Sequence, residues 1–239
     1  MITLNKAIKT GKFIELYSYK TPIQYGYKIP PTYRQINNTT VKKDHQKQSS
    51  IRAKNKIRRL IIGNIYHYQQ YKPSFLTLTF KENITLIKDA NYQFTLFIKR
   101  INYFLGYKIR YVSVPEFQKR GAVHYHLIIF NTSFISAIKI EEIWANGDIE
   151  ITLANRGYKA FNYITKYISK TFEDERYKNQ KRYFYSLENK DETIFNSEEV
   201  VKIYNNLTQD NLLGEFEYMI KDDNGNITNE VRKREYYSL

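Results

Sequence analysis

Positions 123–130 read Val-His-Tyr-His-Leu-Ile-Ile-Phe, a His-x-His pair running straight into four apolar residues. A run of that length, rich in β-branched side chains, predicts a buried strand. Side chains alternate faces along a strand, so His124 and His126 point one way and Tyr125 the other. Two imidazoles on one sheet face make a ready pair of metal ligands. The chain has four histidines, and two of them sit here. An isolated His-x-His fits a pair of satisfied or surface histidines equally well, so the neighbours decide.

Residues 108–116 are again rich in β-branched and aromatic side chains, and Gly121 lies between them and His124. The natural parse is two strands joined by a short Gly-containing turn. In such a hairpin Glu116 becomes a cross-strand neighbour or near-neighbour of His124. A carboxylate beside two imidazoles gives a three-ligand set with open positions, as metal-assisted phosphoryl chemistry requires. By itself Glu116 reads as an exposed charge at a strand end.

Residues 162–170 read Asn-Tyr-Ile-Thr-Lys-Tyr-Ile-Ser-Lys. As a helix, this stretch puts Tyr163 and Tyr167 on one shared face, and Lys166 and Lys170 likewise. Tyr and Ile are mediocre helix formers, so the helix depends on packing Ile164 and Ile168 against a sheet. A single tyrosine means little in a chain with 23 of them. A tandem Tyr-x-x-Lys behind a His-x-His strand means more.

The formal charge of +14 is unevenly spread. Residues 1–172 hold 28 Lys and Arg against 9 Asp and Glu, and residues 173–239 hold 10 against 15. A basic first part with an acidic tail is the footprint of a nucleic-acid binder, with salt-sensitive affinity. Cysteine is absent, which removes disulfides, thiolate zinc sites and cysteine nucleophiles. No apolar stretch is long enough to span a bilayer and no secretory leader opens the chain, so the expectation is a cytoplasmic protein in a bacterial cell, without membrane contact.

Along the chain, residues 1–48 show no clean period beyond a short strand at 13–17, and residues 37–48 read as a polar linker. Ser49 or Ser50 caps a helix running to about Gln69, with Ile57, Leu60, Ile61, Ile65 and Tyr68 on one stripe. Arg52, Lys54, Lys56, Arg58 and Arg59 form its other face, either solvated or set against a nucleic-acid backbone. A strand at 75–80, a helix near 88–103 and the histidine hairpin follow. Next come a short helix near 136–144, with Trp144 in the core, a strand near 148–153 and the tyrosine helix. The class is α+β: an antiparallel sheet of about five strands with helices on one face, in a ferredoxin-like or RRM-like split βαβ arrangement. That layout turns the histidines toward the uncovered side. Residues 173–239 read as helical in places (197–207), with a turn at 222–225 and a basic run at Arg232, Lys233 and Arg234.

Taken together, the motifs resemble those of replication initiators of the HUH endonuclease superfamily, the rolling-circle Rep proteins of plasmids and single-stranded DNA viruses. Phe75-Leu76-Thr77-Leu78-Thr79-Phe80 resembles the first motif, His124-Tyr125-His126 the second and the run from Tyr163 to Lys170 the third. The paired tyrosines are similar to those of the two-tyrosine initiators. The resemblance implies three pieces: an N-terminal extension (1–48), an HUH endonuclease domain (49–172) and an acidic C-terminal appendage (173–239). It implies Glu116, His124 and His126 as ligands of Mg²⁺ or Mn²⁺, Tyr163 and Tyr167 as nucleophiles, and Lys166 and Lys170 as phosphate-positioning groups. Single-stranded or hairpin origin DNA would be the substrate, nicked and joined through a 5′-phosphotyrosine. No Gly-x-x-x-x-Gly-Lys-Ser/Thr run is present, so a host helicase and polymerase are the implied partners.

Three other readings stay open. A transposase or relaxase of the same superfamily shares every motif. A non-catalytic RRM-like module would use its aromatics to stack single-stranded bases. A two-histidine, one-glutamate zinc hydrolase fits least, since no His-Glu-x-x-His helix is present.

Overall fold

The computed structural model describes residues 3–22, 41–153, 167, 171, 174–177, 180–187, 191–222 and 225–238. In chain order these form β1 (Thr3–Thr10), β2 (Phe13–Tyr19), α1 (Val41–His67), β3 (Ser74–Thr79), α2 (Ile87–Leu105), β4 (Tyr111–Phe117) and β5 (Val123–Ile129). Then follow α3 (Ala137–Trp144), β6 (Ile149–Leu153), β7 (Phe184–Ser186), β8 (Asp191–Ile194), α4 (Ser197–Asn205), β9 (Leu212–Lys221) and β10 (Ile227–Tyr237). The chain divides into two compact units, Gln48–Glu188 and the pair Met1–Lys47 with Asn189–Leu239.

The central unit is built on an antiparallel sheet of order β6-β3-β5-β4-β7. α2 joins β3 to β4, yet β5 lies between them, which is the split βαβ arrangement. On one face Leu76, Leu78, Tyr125, Leu127 and Ile129 meet Phe94, Phe97 and Ile101 of α2 and Ile140, Ile143 and Trp144 of α3. The spacing of Ala90, Phe94, Phe97 and Ile101 puts one apolar stripe of α2 on the sheet. Phe94 stacks on Tyr125 with ring centroids 4.4 Å apart. Trp144 is a core residue, and its indole N–H donates to the carbonyl of Thr79 at 3.0 Å. α2 stops at Gly106, whose φ of 74° allows its N–H to reach the carbonyls of Asn102 and Tyr103. The Ser136 hydroxyl caps α3 by accepting from the N–H of Lys139.

The expected placement of helices on one face holds for α2 and α3, and needs correcting for α1. Ile57, Ile61 and Ile65 of α1 pack on Phe75, Val112, Val114 and Ile128, the opposite face of the same sheet. The histidine face is therefore partly roofed. The reason lies in the strands: β3, β4 and β5 carry apolar residues on both faces, so each face needs a cover. α1 also begins at Val41, so residues 41–48 are helix and not linker, and neither Ser49 nor Ser50 caps it. Lys and Gln are good helix formers, and a polar run extends an amphipathic helix at little cost.

In the other unit the sheet order is β8-β1-β2-β10-β9, all antiparallel. Both chain ends contribute: β2 pairs with β10 from Phe13 against Tyr237 to Tyr19 against Val231. Val200 of α4 packs with Ala7, Ile14, Leu16 and Tyr236 on one face. On the other face Lys233 bridges Glu15 and Glu235, two carboxylates that are 1% exposed. Residues 173–239 are thus mainly strand, with the expected helix at Ser197–Asn205. Arg232 and Arg234 pair with Glu217 and Glu215 across the β9–β10 ladder.

Candidate metal centre

The site stands where β3, β4 and β5 run side by side. Glu116 lies directly opposite His124 in the β4–β5 ladder, and Thr77 opposite His126 in the β3–β5 ladder. Alternation then puts Thr77, Glu116, His124 and His126 on one face. Glu116 Oε2 lies 2.9 Å from His126 Nε2 and 3.4 Å from His124 Nε2. Ligand atoms from the three residues all fall within 4.8 Å of one another. Two ligands each about 2.1 Å from an ion, at tetrahedral or octahedral angles, sit roughly 3.0–3.4 Å apart. The cluster could hold a divalent ion with little rearrangement, and its mixed nitrogen and oxygen donors suit one.

The neighbours fix the rings. Thr77 Oγ1 lies 3.4 Å from His126 Nδ1, and Gln118 Nε2 lies 3.4 Å from His124 Nδ1. The Gln118 amide is itself oriented, because its Oε1 accepts from Arg120 Nε at 2.8 Å. His126 is buried, while Glu116 and His124 keep 13% and 15% of their side chains exposed. These two open onto a cavity of about 510 Å³ that Gln118, Lys119, Thr171, Arg176 and Tyr177 also line.

Of the tandem-tyrosine segment, Tyr167 is described and is helical, with its ring stacked on His126 at 3.4 Å between centroids and 16° between planes. Thr171, also helical and buried, donates its hydroxyl to the carbonyl of Pro115 at 2.6 Å. Tyr163, Lys166 and Lys170 lie outside the described residues. Tyr177 is a second phenol at the cavity, but burial first, and the charge of Asp174 next, push its ionisation well above the usual tyrosine range. Tyr125, on the opposite sheet face, is pushed up likewise by burial.

Four residues at the site escape a motif reading: Thr77, Gln118, Thr171 and Arg176. Thr77 lies inside the first motif, and strand parity alone puts it on the histidine face once the register is known. Gln118 follows Glu116 by two and shares its side. Thr171 and Arg176 carry no signal in the sequence that points here.

The central unit also carries most of the charge: residues 48–188 hold 23 Lys and Arg against 11 Asp and Glu. Residues 73–172, under half of the chain, match the family of the replication-associated protein ORF2. The matched span runs from the start of β3 past Thr171 and so includes each of Glu116, His124, His126 and Tyr167. That match supports a replication-initiator protein. No curated protein matches the chain. The crystal structure of the hypothetical protein ORF119 from Sulfolobus islandicus rod-shaped virus 1 is similar over 45% of this chain and 89% of that one. Identity is 19% and the TM-score 0.36, too low to bear on fold or function. Among the described residues no helix is long and apolar enough to cross a membrane.

Proposed function

We propose that this chain is a rolling-circle replication initiator that nicks single-stranded or hairpin origin DNA through a tyrosine and rejoins it. The observation that carries this reading is the Glu116–His124–His126 cluster with the Tyr167 ring laid against His126. Bound there, Mg²⁺ or Mn²⁺ supplies charge neutralisation at a non-bridging oxygen of the scissile phosphate. Everything else falls to the chain. The phenol oxygen of Tyr163 or Tyr167 attacks phosphorus in line, and the bond to the 3′ oxygen breaks. The phenol proton leaves to solvent, the departing oxygen takes one up, and a free 3′-OH remains for a host polymerase to extend. The strand's 5′ phosphate stays on the tyrosine as a diester, so the energy of the broken link is kept for rejoining.

A phenol near its ordinary pKa of about 10 needs help to attack. Lys166 and Lys170 are assigned to hold the phosphate, Lys166 nearer the first nucleophile. Tyr163 is assigned the initial nick and Tyr167 the strand transfer. Tyr177 is a poor nucleophile despite lining the cavity, because burial holds its proton on. A host helicase opens the duplex in this scheme, and the reaction takes place in a bacterial cytoplasm.

The test is a labelled origin-hairpin oligonucleotide incubated with the protein and Mn²⁺, followed by denaturing gels. A covalent adduct is expected from the native chain and from each single Tyr→Phe variant at a reduced level. None is expected from the Tyr163→Phe/Tyr167→Phe pair. An adduct surviving in the double variant overturns the nucleophile assignment. Affinity without any cleavage in the native chain overturns the enzyme and leaves a single-strand-binding module.

A further inference from the structure

Four strands end the two sheets, and three are blunted by their shortness: β6 has 5 residues, β7 has 3 and β8 has 4. β9 has 10 residues, contains no proline, and among the described residues pairs on one side only, with β10. From Gly214 to Ile220 its register against β10 is unbroken along most of its length, so the outer edge is a straight row of backbone donors and acceptors. Phe216, Tyr218, Met219 and Ile220 are each between 37% and 57% exposed. A long, regular, apolar edge without a guard is a template for another strand.

We propose that the occupant is β9 of a second copy of this chain, paired antiparallel about a two-fold axis at Tyr218. A two-fold normal to the sheet keeps each residue's face, so the axis must pass through one residue position. Centring it on Phe216 sets Glu215 against Glu217, and centring it on Glu217 sets that carboxylate against itself. Centring it on Tyr218 sets Tyr218 against Tyr218, Phe216 against Ile220, Glu217 against Met219 and Glu215 against Lys221. That register matches aromatic with aromatic, apolar with apolar and opposite charges, the pairings that stabilise neighbouring strands.

The ionic partners can take these places. Arg232 and Arg234 both make their closest approach to Glu215 at Oε1, and a carboxylate has a second oxygen with which to accept from a further cation. Lys221 is exposed and has no ion-pair partner among the described residues. Joining two such edges would make one continuous ten-stranded sheet from the two five-stranded ones.

The full chain, measured by size exclusion with light scattering from about 1 to 100 µM, is expected to move from 28.7 kDa toward twice that mass. Tyr218→Lys sets two lysines face to face, and Lys221→Glu sets Glu against Glu215. Each is expected to shift the midpoint upward by at least about tenfold. Glu215→Lys alone is expected to do the same. Mixed one to one, the Glu215→Lys and Lys221→Glu proteins restore both ion pairs in the heterodimer and are expected to associate again. Misfolding of either variant cannot produce that recovery. A native chain that stays monomeric throughout overturns the proposal and leaves the edge to a strand of another protein. Dimers indifferent to all three substitutions overturn it too, and failure of the mixture to recover overturns the Tyr218 register.

Discussion

Glu116 has two imidazole nitrogens within 3.4 Å of a single oxygen. A hydrogen bond to one ring can satisfy that oxygen only in part, while a divalent ion would engage all three groups at once. Glu116→Gln keeps the shape and removes the charge. It is expected to weaken Mn²⁺ binding by at least about tenfold in calorimetric titration, because a carboxylate is the stronger ligand for a hard cation. Its melting temperature should stay close to the native value, since the side chain is partly exposed and no buried cation is orphaned. Unchanged Mn²⁺ affinity would remove Glu116 from the ligand set. At this scale the sequence was informative about the ligands, because a hairpin imposes its own register: parity puts His124 and His126 together, and a short turn returns Glu116 beside them. It said nothing of Thr171 and Arg176, which reach the cavity from more than 50 residues further along the chain than Glu116.

Elements with a strong period match their reading. β3, α2, β4, β5, α3 and β6 all form where alternation or a 3.6-residue stripe called for them. Phe94 shows how the helix layer is locked to the strand that carries the histidines, since it stacks on Tyr125 from the far side of β5. Phe94→Ala is expected to cost about 3–5 kcal/mol in denaturant unfolding, from lost transfer energy and the cavity left behind. A loss below about 1 kcal/mol would mean that the aromatic layer is not what holds α2 down. β9 and β10 escape a sequence reading for a specific reason. Glu215, Glu217, Arg232 and Arg234 look like solvated charges until the ladder sets each acid beside an arginine. Extended strands built on such pairs carry little hydrophobic signal.

On the scale of the whole molecule, charge and topology part company. Residues 48–188, the unit bearing the metal-type cluster, have an excess of 12 positive side chains (23 against 11), and the remaining residues an excess of 2 (15 against 13). Binding of single-stranded DNA is therefore expected to weaken by about tenfold or more between ~50 and ~200 mM salt, as displaced counterions would require. Fluorescence anisotropy at several salt concentrations checks this, and a flat profile would rule out a backbone-led interface. The division of labour between sequence and structure follows contact distance. Within about 15 residues, periodicity and turn chemistry determined the hairpin, its two imidazoles and its carboxylate, because the forces involved act between near neighbours. Only the tertiary structure decided that α1 roofs the histidine face, that Tyr167 lies on His126, and that the two chain ends share one sheet. Those outcomes depend on which distant surface a given face buries against, and a linear pattern fixes that a face must be covered without fixing by what.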